Sequence, residues 1–350
     1  MFKDISIDEL LGLDRKKFTL VDVRSPSEYE EMTIPGSINI PVFNDEERAE
    51  VGTLYKQVNP EIAKERGLEI FAAKLPEFIK TFRQTEGEKV VFCWRGGMRS
   101  KSAATMLDLM GIKAFRLQGG VRMYRQWVLE RLDNLDLSGE VLILNGGTGT
   151  GKTTILNRLK EKGMPVLDLE GMAGHRGSVF GHIGTHPNTQ KKFDSLLVQE
   201  VQSLQSSPFV LFEAESKRIG KVMVPEYLLR KKEQGTHIIL KMPMEQRVKH
   251  ILEEYKLQEH HEEFLAAFER IKKHIHTPIA AEIQEYIEAH DYQNALPMLL
   301  EYYYDPKYQH SAKQYPEDQR IVLEVNDIDE AVEAVMSILP EVSKTVHQRL

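Results

Sequence analysis

Residues 89–100 read KVVFCWRGGMRS, a short apolar run that leads into a loop with two adjacent glycines. The run ends at Cys93, the only cysteine among the 350 residues. Its length and composition predict a buried strand, and the apolar spacing of residues 99–110 predicts a helix directly after the loop. Strand, loop and helix in this order are the building unit of a parallel α/β fold.

The same alternation extends in both directions along the chain, so we predict an α/β fold. The polar segment 133–140 lacks periodicity and is interpreted as a linker. We therefore predict one parallel α/β domain over residues 1–135 and a second parallel-sheet domain with a helical extension over residues 136–350. Further strands are predicted at residues 18–24, 37–42, 113–117, 141–145, 165–170, 208–213 and 237–241, and mostly helix at 244–303.

Composition narrows the class of protein. Hydrophobic residues make up 41% of the chain and charged residues 28%, as in ordinary globular proteins. The sequence contains neither a long apolar run nor an apolar stretch near its start, so no membrane span or secretion is expected. A single cysteine fits a reducing, cytoplasmic location. The net charge of −7 means that any nucleic acid would need a local basic surface.

The loop after Cys93 has the chemistry of a thiolate site. A helix N-terminus and nearby guanidinium groups stabilise a thiolate. Adjacent glycines let backbone N–H groups turn inward around an oxyanion. The spacing Cys-x5-Arg, from Cys93 to Arg99, suits a phosphate-sized group. A buried structural cysteine is the alternative. The predicted anion loop comprises Trp94, Gly96, Gly97, Met98 and Ser100.

A second loop, NGGTGTGKTT at residues 145–154, contains the pattern Gly-x4-Gly-Lys-Thr after a predicted strand and before a predicted helix. Backbone donors and Lys152 would bind two linked phosphates, and the Thr153 hydroxyl would hold Mg²⁺. The predicted diphosphate-binding residues are Gly146, Gly147, Thr148, Gly149, Thr150, Gly151, Lys152 and Thr153.

Polar residues follow two later predicted strands. Glu213 either reaches the metal through water or ends its strand in solvent, and no aspartate is present there. The glycine-rich segment 167–181 lies at the carboxyl end of a strand, where ligands of open α/β sheets bind. Basic residues near 217–221 either contact RNA or are solvated. The predicted contacts to substrate or RNA are Asp168, Glu170, His175, Arg176, Ser178, Glu215, Ser216 and Arg218.

Residues 21–42, VDVRSPSEYEEMTIPGSINIPV, resemble the N-terminal signature of rhodanese domains. Cys93 occupies the position of their persulfide cysteine. The resemblance implies that Asp22 and Arg24 brace the loop rather than take part in the chemistry.

The phrases CWRGGMRS, GGTGTGKT, LDLEGMAGHRGSVFG and EAESKRIG, in this order, resemble the bacterial tRNA 2-selenouridine synthase family over almost the whole chain. The resemblance implies two reactions on a tRNA that carries 2-thiouridine at the wobble position. The sulfur is first alkylated with the geranyl group of geranyl diphosphate. The geranylthio group is then replaced with selenium from selenophosphate.

The resemblance also implies a role for each loop. The phosphate loop would hold geranyl diphosphate with Mg²⁺, and no tightly bound organic cofactor is expected. Cys93, Arg95 and Arg99 would be catalytic: the arginines hold selenophosphate, and Cys93 takes up selenium or assists its transfer. Trp94 either shields the site and stacks on the base or packs the loop. An apolar pocket for the geranyl chain is expected near the phosphate loop.

Three other classes of protein fit parts of the pattern. A thiosulfate sulfurtransferase fused to a nucleotide-binding domain explains both loops without tRNA. A dual-specificity phosphatase shares the Cys-x5-Arg spacing, although Phe92 stands where protein tyrosine phosphatases usually carry His. A non-catalytic scaffold with a phosphate-loop switch would not need Cys93 at all.

Overall fold

The computed structural model describes residues 2–14, 16–312 and 315–347. The chain divides into two compact units. The first comprises Met1–Asn134 with the short segment Asp194–Leu196, and the second comprises Leu135–Phe193 with Leu197–Leu350. No helix of the described ranges is long and apolar enough to cross a membrane.

The first unit is built on a parallel sheet. Its strands are β1 (Lys3–Ile5), β2 (Phe18–Asp22), β3 (Ile38–Asn39), β4 (Glu88–Phe92) and β5 (Ala114–Leu117). Their order in the sheet is β1-β5-β4-β2-β3. Strand β4 is central, and its residues Val90, Val91 and Phe92 are fully buried, as expected for a parallel strand covered on both faces.

Helices connect these strands because parallel neighbours require crossover segments. An apolar core forms where α-helical residues such as Phe82 and Leu107 pack against Val91 of the sheet. A π-helical turn, Leu54–Val58, interrupts the chain between the third and fourth helices. The helices are α1 (Ile7–Leu11), α2 (Pro26–Glu31), α3 (Asp45–Thr53), α4 (Pro60–Gln84), α5 (Met98–Leu109) and α6 (Gly120–Leu132).

The second unit has its own parallel sheet. Its strands are β6 (Glu140–Gly146), β7 (Phe209–Glu213), β8 (Arg218–Ile219), β9 (Val222–Met223), β10 (Thr236–Lys241) and β11 (Arg320–Glu324). The four long strands are ordered β11-β10-β6-β7, and β8 and β9 form a separate antiparallel pair. Strand β6 is therefore internal, and it presents the glycine-rich loop at its carboxyl end.

The second unit also contains an apolar core made only of helices and loops. Phe264, Phe268 and Leu296 are among its fully or almost fully buried members. The helices of the unit are α7 (Lys152–Glu161), α8 (Leu169–Ala173), α9 (Gln190–Leu204), α10 (Glu226–Gln234), α11 (Met244–Tyr255), α12 (His261–Ile271), α13 (Thr277–Glu288), α14 (Tyr292–Leu299), α15 (Asp305–Ala312) and α16 (Ile328–His347). Helical turns of other types lie at Lys272–His274, Leu300–Tyr304 and Glu317–Gln319.

The observed architecture confirms the predicted α/β class with two parallel sheets. The predicted strand at 165–170 is wrong in extent: only Val166 pairs with the sheet, opposite Leu211. The chain turns into α8 there because the Asp168 carboxylate accepts the Gly171 N–H at 2.7 Å and caps the helix. The division between the two units, at Asn134 and Leu135, falls within the segment 133–140, and Leu137 in this segment is fully buried.

A buried ion pair closes the core of the first unit just beyond β2. Arg24 Nη2 lies 2.6 Å from Asp22 Oδ2, and both side chains are almost fully buried. Arg24 also donates to the Met32 carbonyl oxygen at 2.5 Å, and Thr33 donates its hydroxyl to Asp22 at 2.9 Å. Both carboxylate oxygens of Asp22, and the Nε and Nη2 atoms of Arg24, therefore have fixed partners, which is the arrangement of a structural brace.

We predict that Asp22→Ala destabilises the first unit by about 3–5 kcal/mol, because it leaves the Arg24 charge buried and unpaired. Both tryptophans, Trp94 and Trp127, belong to this unit, so urea unfolding followed by tryptophan fluorescence measures it selectively. Asp14→Ala is the matched control, because Asp14 pairs with Lys17 on the surface and its loss should cost about 0–1 kcal/mol. Equal losses in the two variants would contradict the prediction.

Candidate functional site

The first candidate site begins at Cys93, immediately after β4. The side chain is 3% exposed, and Sγ lies 3.2 Å from the Ser100 hydroxyl oxygen. Ser100 sits in the first turn of α5, and its hydroxyl also lies 3.3 Å from the Gly97 carbonyl oxygen. A thiolate at Cys93 would therefore have both a hydroxyl donor and a helix N-terminus beside it.

The backbone of the cysteine loop is fixed from behind by the start of α6. Val121 N–H donates to the Cys93 carbonyl oxygen at 3.0 Å, and Arg122 N–H donates to the Trp94 carbonyl oxygen at 2.9 Å. A Cβ atom on Gly120 would lie 1.9 Å from the Cys93 carbonyl oxygen, so only glycine allows this approach. The sequence showed Gly120 only as the residue before a predicted helix, and its role was missed.

The two predicted catalytic arginines differ in their surroundings. Arg99 forms an ion pair with Glu28, and Arg48 lies 3.4 Å from the same carboxylate. Burial of Glu28 opposes its ionisation, but the hydrogen bond and charge of Arg99, together with Arg48, outweigh burial and hold its pKa below the ordinary value. Arg95 is exposed and forms no ion pair with a described residue.

The other predicted members of the loop lie around this centre. Trp94 is partly exposed and Met98 is 62% exposed, so both side chains border solvent. The Gly96 carbonyl oxygen accepts a hydrogen bond from Arg116 at 3.0 Å, and Arg116 is held in turn by Asp4 at 2.6 Å. Arg116 lies on β5 and Asp4 on β1, and neither belongs to a sequence motif, so this supporting pair was not predicted.

The second candidate site is the loop between β6 and α7. Lys152, the first residue of α7, donates its Nζ to the Gly146 carbonyl oxygen at 2.8 Å. Thr153 donates its hydroxyl to Glu170 Oε2 at 2.7 Å. The N-terminus of α7 and the Lys152 ammonium group therefore lie together at the loop, as required for binding linked phosphates.

Helix α11 supports this loop from outside. Arg247 donates its Nε to the Thr148 carbonyl oxygen at 2.9 Å and pairs with Asp305 at 2.6 Å. A Cβ atom on Gly149 would lie 2.6 Å from the Arg247 carbonyl oxygen, which again leaves room only for glycine. The phosphate loop is thus clamped between its own strand and a helix that starts almost a hundred residues later.

Three glutamates converge beside Thr153. Glu213 is almost fully buried and accepts the Glu170 N–H at 2.7 Å, so the alternative that it ends its strand in solvent is wrong. Burial, followed by the charge of Glu215, raises the pKa of Glu170 to about 8. Burial and the charge of Glu170 raise the pKa of Glu213 well above its ordinary value. The ionised forms of Glu170 and Glu213 are therefore unfavourable in this structure, and a bound cation or hydrogen-bond donor would make them more favourable.

A narrow polar cleft joins the phosphate loop to these carboxylates. A Cβ atom on Gly177 would lie 2.4 Å from Glu170 Oε1 and 2.6 Å from Glu215 Oε1, so the backbone at Gly177 lies against both carboxylates. Lining residues that the sequence predicted are Thr148, Gly149, Gly151, Lys152, Thr153, Glu170, Arg176, Ser178 and Glu215. Lining residues that it missed are Gly177, Glu254, Tyr255 and Tyr308.

Four predicted contacts lie outside the cleft lining. Asp168 caps α8, and His175 packs half-buried against the backbone of a neighbouring turn, where burial lowers its pKa. Ser216 and Arg218 hydrogen-bond within the exposed segment around β8. Arg176 does reach the cleft, but Glu254 Oε1 lies 2.8 Å from its Nε and the Tyr255 ring lies under its guanidinium group.

An apolar cavity adjoins the polar cleft and shares Thr148, Ser178 and Tyr255 with it. Its other walls are aliphatic and aromatic side chains of the helical core, including Phe264 and Leu299. The cavity has a volume of about 20 Å³, room for no more than a water molecule. An apolar space near the phosphate loop is thus present, but it is far smaller than a ten-carbon chain.

Each unit of the chain matches a known family model. The model of the rhodanese-like domain family matches residues 6–127, and the model of the tRNA 2-selenouridine synthase AAA domain matches residues 139–276. A tRNA 2-selenouridine synthase from Bdellovibrio bacteriovorus is 34% identical over 72% of this chain and 68% of its own. The chain belongs to the tRNA 2-selenouridine synthase family.

Other relatives in the synthase family cover more of the chain. A tRNA 2-selenouridine synthase from Hydrogenovibrio crunogenus is 33% identical over 86% of this chain and 91% of its own. Among solved structures, a rhodanese-related protein from Thermoplasma volcanium is 22% identical, covering 37% of this chain and 93% of its own with a TM-score of 0.23.

The raised pKa of Glu170 predicts how the stability of this family member depends on pH. The unfolded chain ionises Glu170 near 4.5 and the folded chain only near about 8, so the unfolded state binds fewer protons between these values. Stability should therefore fall as the pH rises through this window. Glu170→Gln should remove this loss and stabilise the protein by about 1–3 kcal/mol near pH 9.

Thermal unfolding followed by circular dichroism between about pH 5 and pH 9 measures this difference. Glu253→Gln, a change of the same chemistry at an exposed position of α11, is the control and should follow the wild type. A Glu170→Gln variant whose stability falls with pH as steeply as that of the wild type would refute the assignment.

Proposed function

We propose that this protein is a tRNA 2-selenouridine synthase that acts in two steps, prenylation followed by selenium exchange. The observation that carries the proposal is the pairing, in one chain, of a phosphate loop that faces carboxylates with a cysteine loop at a helix N-terminus. The two loops suit two anionic donors, geranyl diphosphate and selenophosphate. Membership of the synthase family supports the tRNA substrate.

In the first step the sulfur of 2-thiouridine attacks the carbon of geranyl diphosphate that bears oxygen. A carbon–sulfur bond forms, the carbon–oxygen bond breaks, inorganic diphosphate leaves, and the nucleotide loses its N3 proton. Charge develops on the departing diphosphate oxygen. Lys152 and the N–H groups of the phosphate loop would bind the diphosphate more strongly in the transition state, where this charge develops, than in the ground state. This difference in binding lowers the activation barrier.

The residues at the cleft fit a Mg²⁺ ion together with a diphosphate. Mg²⁺ is commonly held by one or two carboxylates, substrate phosphates and waters rather than by a complete protein cage. The described residues contain no group of three or more His, Cys, Asp or Glu side chains placed to hold a metal alone. Thr153 and Glu170, whose oxygens lie 2.7 Å apart, would supply the protein's ligands, and the cation would offset the charge of the diphosphate.

The absence of an aspartate after β7 also fits transfer rather than nucleotide hydrolysis. Glu213 is buried and directed at the Glu170 backbone, so it orients the acid that faces the ligand. A diphosphate can therefore serve here purely as a leaving group.

In the second step selenophosphate delivers selenium to C2 of the base. Selenium bonds to C2, the bond from C2 to the geranylthio sulfur breaks, and geranylthiol leaves with a proton. Water then cleaves the selenium–phosphorus bond, which gives 2-selenouridine and inorganic phosphate. The N–H groups of the cysteine loop and Arg95 would hold the phosphate group, and Cys93 would assist the transfer.

We predict that Lys152→Ala abolishes geranylation, because it removes the charge that stabilises the departing diphosphate; a loss of about 100-fold or more is expected. Cys93→Ala should leave geranylation unchanged and block selenium incorporation. Mass spectrometry of nucleosides from 2-thiouridine tRNA, with geranyl diphosphate and Mg²⁺ and with or without selenophosphate, measures both steps.

Tryptophan fluorescence and circular dichroism serve as folding controls for both variants. Equal loss of both steps in folded Cys93→Ala would show that the loops do not act separately. Unchanged tRNA with folded wild-type protein would reject the synthase, and thiosulfate cleavage without tRNA would then favour the sulfurtransferase alternative.

A further inference from the structure

A mainly apolar cavity of the first unit lies next to the cysteine loop. It has a volume of about 540 Å³, within the roughly 300–1,000 Å³ typical of small-molecule sites. Helices α3 and α4, the π-helical turn between them and the first turn of α5 enclose it. None of the functions assigned above to the cysteine loop uses this space.

The cavity has an apolar floor and an apolar rim. Phe43 and Phe71 are buried at its base, at 7% and 5% exposure. Tyr55, Leu68 and Met98 line it as well, yet they are 60%, 66% and 62% exposed. Large apolar side chains left this open around a concave surface are characteristic of a site that an apolar ligand covers.

Basic side chains surround the same cavity. Arg48, Lys56, Lys64 and Arg99 all contribute to its lining. Lys56 is exposed and forms no ion pair with a described residue. Arg48 and Arg99 share one carboxylate, Glu28, and Lys64 pairs with Glu61, so the four cations together with these partners keep a positive charge. This combination suits an apolar chain attached to an anionic body, because the chain would fill the floor while a phosphate faces the remaining positive charge.

The cavity is continuous with the cysteine loop. Met98 and Arg99 belong both to its wall and to the loop that begins at Cys93. The π-helical turn that carries Tyr55 and Lys56 is a rare conformation, found frequently at functional sites. A chain bound in the cavity would therefore place the polar end of its ligand beside the cysteine loop.

We propose that this cavity binds the ten-carbon prenyl chain of the geranylthio nucleotide during selenium exchange, with the tRNA phosphates at the basic rim. The proposal rests on the two-step function proposed above and extends it to a second prenyl-binding place, separate from the phosphate loop. The cavity near the phosphate loop measures about 20 Å³, whereas this one has space for the whole chain. Geranylthiol would leave from this cavity once selenium has replaced it.

The test compares two RNA oligonucleotides, one with S-geranyl-2-thiouridine and one with S-methyl-2-thiouridine. Binding to the full-length protein is measured by fluorescence anisotropy without selenophosphate, and conversion to 2-selenouridine is measured with it. Wild-type protein should favour the geranyl substrate about tenfold or more, both in affinity and in kcat/KM, because only the longer chain fills the apolar floor.

Leu68→Glu places a carboxylate in the cavity wall at a position already exposed, so folding should be retained. We expect this variant to lose about tenfold of the preference for the geranyl substrate, mostly through KM, with the S-methyl substrate little affected. Leu109→Glu is the control, because Leu109 is 72% exposed at the end of α5 and does not line the cavity. It should behave as the wild type.

The outcomes separate the inference from the function on which it rests. A geranyl preference that survives in folded Leu68→Glu would overturn the cavity assignment even if selenium exchange is confirmed. Loss of binding to both oligonucleotides alike would show a general RNA contact instead of a chain site. If no 2-selenouridine forms but the geranyl-specific affinity is lost in Leu68→Glu, the cavity stands and the proposed second step fails.

Discussion

Both candidate sites depend on backbone segments that approach each other more closely than any side chain permits. At the cysteine loop, the space for a Cβ atom on Gly120 is already occupied by the Cys93 carbonyl oxygen, 1.9 Å away. At the phosphate loop, Gly149 meets the Arg247 carbonyl oxygen in the same way, at 2.6 Å. These contacts fix the course of each loop, and glycines at such positions allow backbone N–H groups to turn toward an anion. The chemistry of each loop therefore follows from packing behind it.

Some buried charged groups of the molecule have partners of opposite charge within the protein, and others do not. Asp22 and Arg24 satisfy one another in the core, and nothing about them requires a ligand. Glu170 and Glu213 are the opposite case, since burial raises the pKa of each and the charges of neighbouring acids raise it further. A buried group that is destabilised in its charged form, beside a glycine-rich loop at a helix N-terminus, fits the proposed binding of a cation together with an anion. This contrast distinguishes bracing from function on physical grounds alone.

The sequence predicted those parts of the sites that lie within one contiguous segment. Cys93 with its glycines, and Lys152 with Thr153, are identifiable because strand, loop and helix follow each other within a few residues. Arg247, Asp305 and Glu28 were not predicted, since each meets its loop only after the chain has folded back from a distant helix. The segment 165–170 was predicted wrongly for a local reason. Its apolar residues suggested a strand, but the Asp168 side chain caps a helix that begins there instead.

The surroundings of the two loops also differ. This difference suggests why the proposed reaction sequence would include prenylation. The phosphate loop is polar and leaves little apolar space, so it favours the diphosphate over the chain. The cysteine loop opens beside a large apolar cavity. A geranyl group converts the sulfur into a leaving group and also supplies apolar surface that unmodified RNA lacks. The same ten carbons would thus activate the nucleotide chemically and provide the binding energy that holds its C2 atom at Cys93.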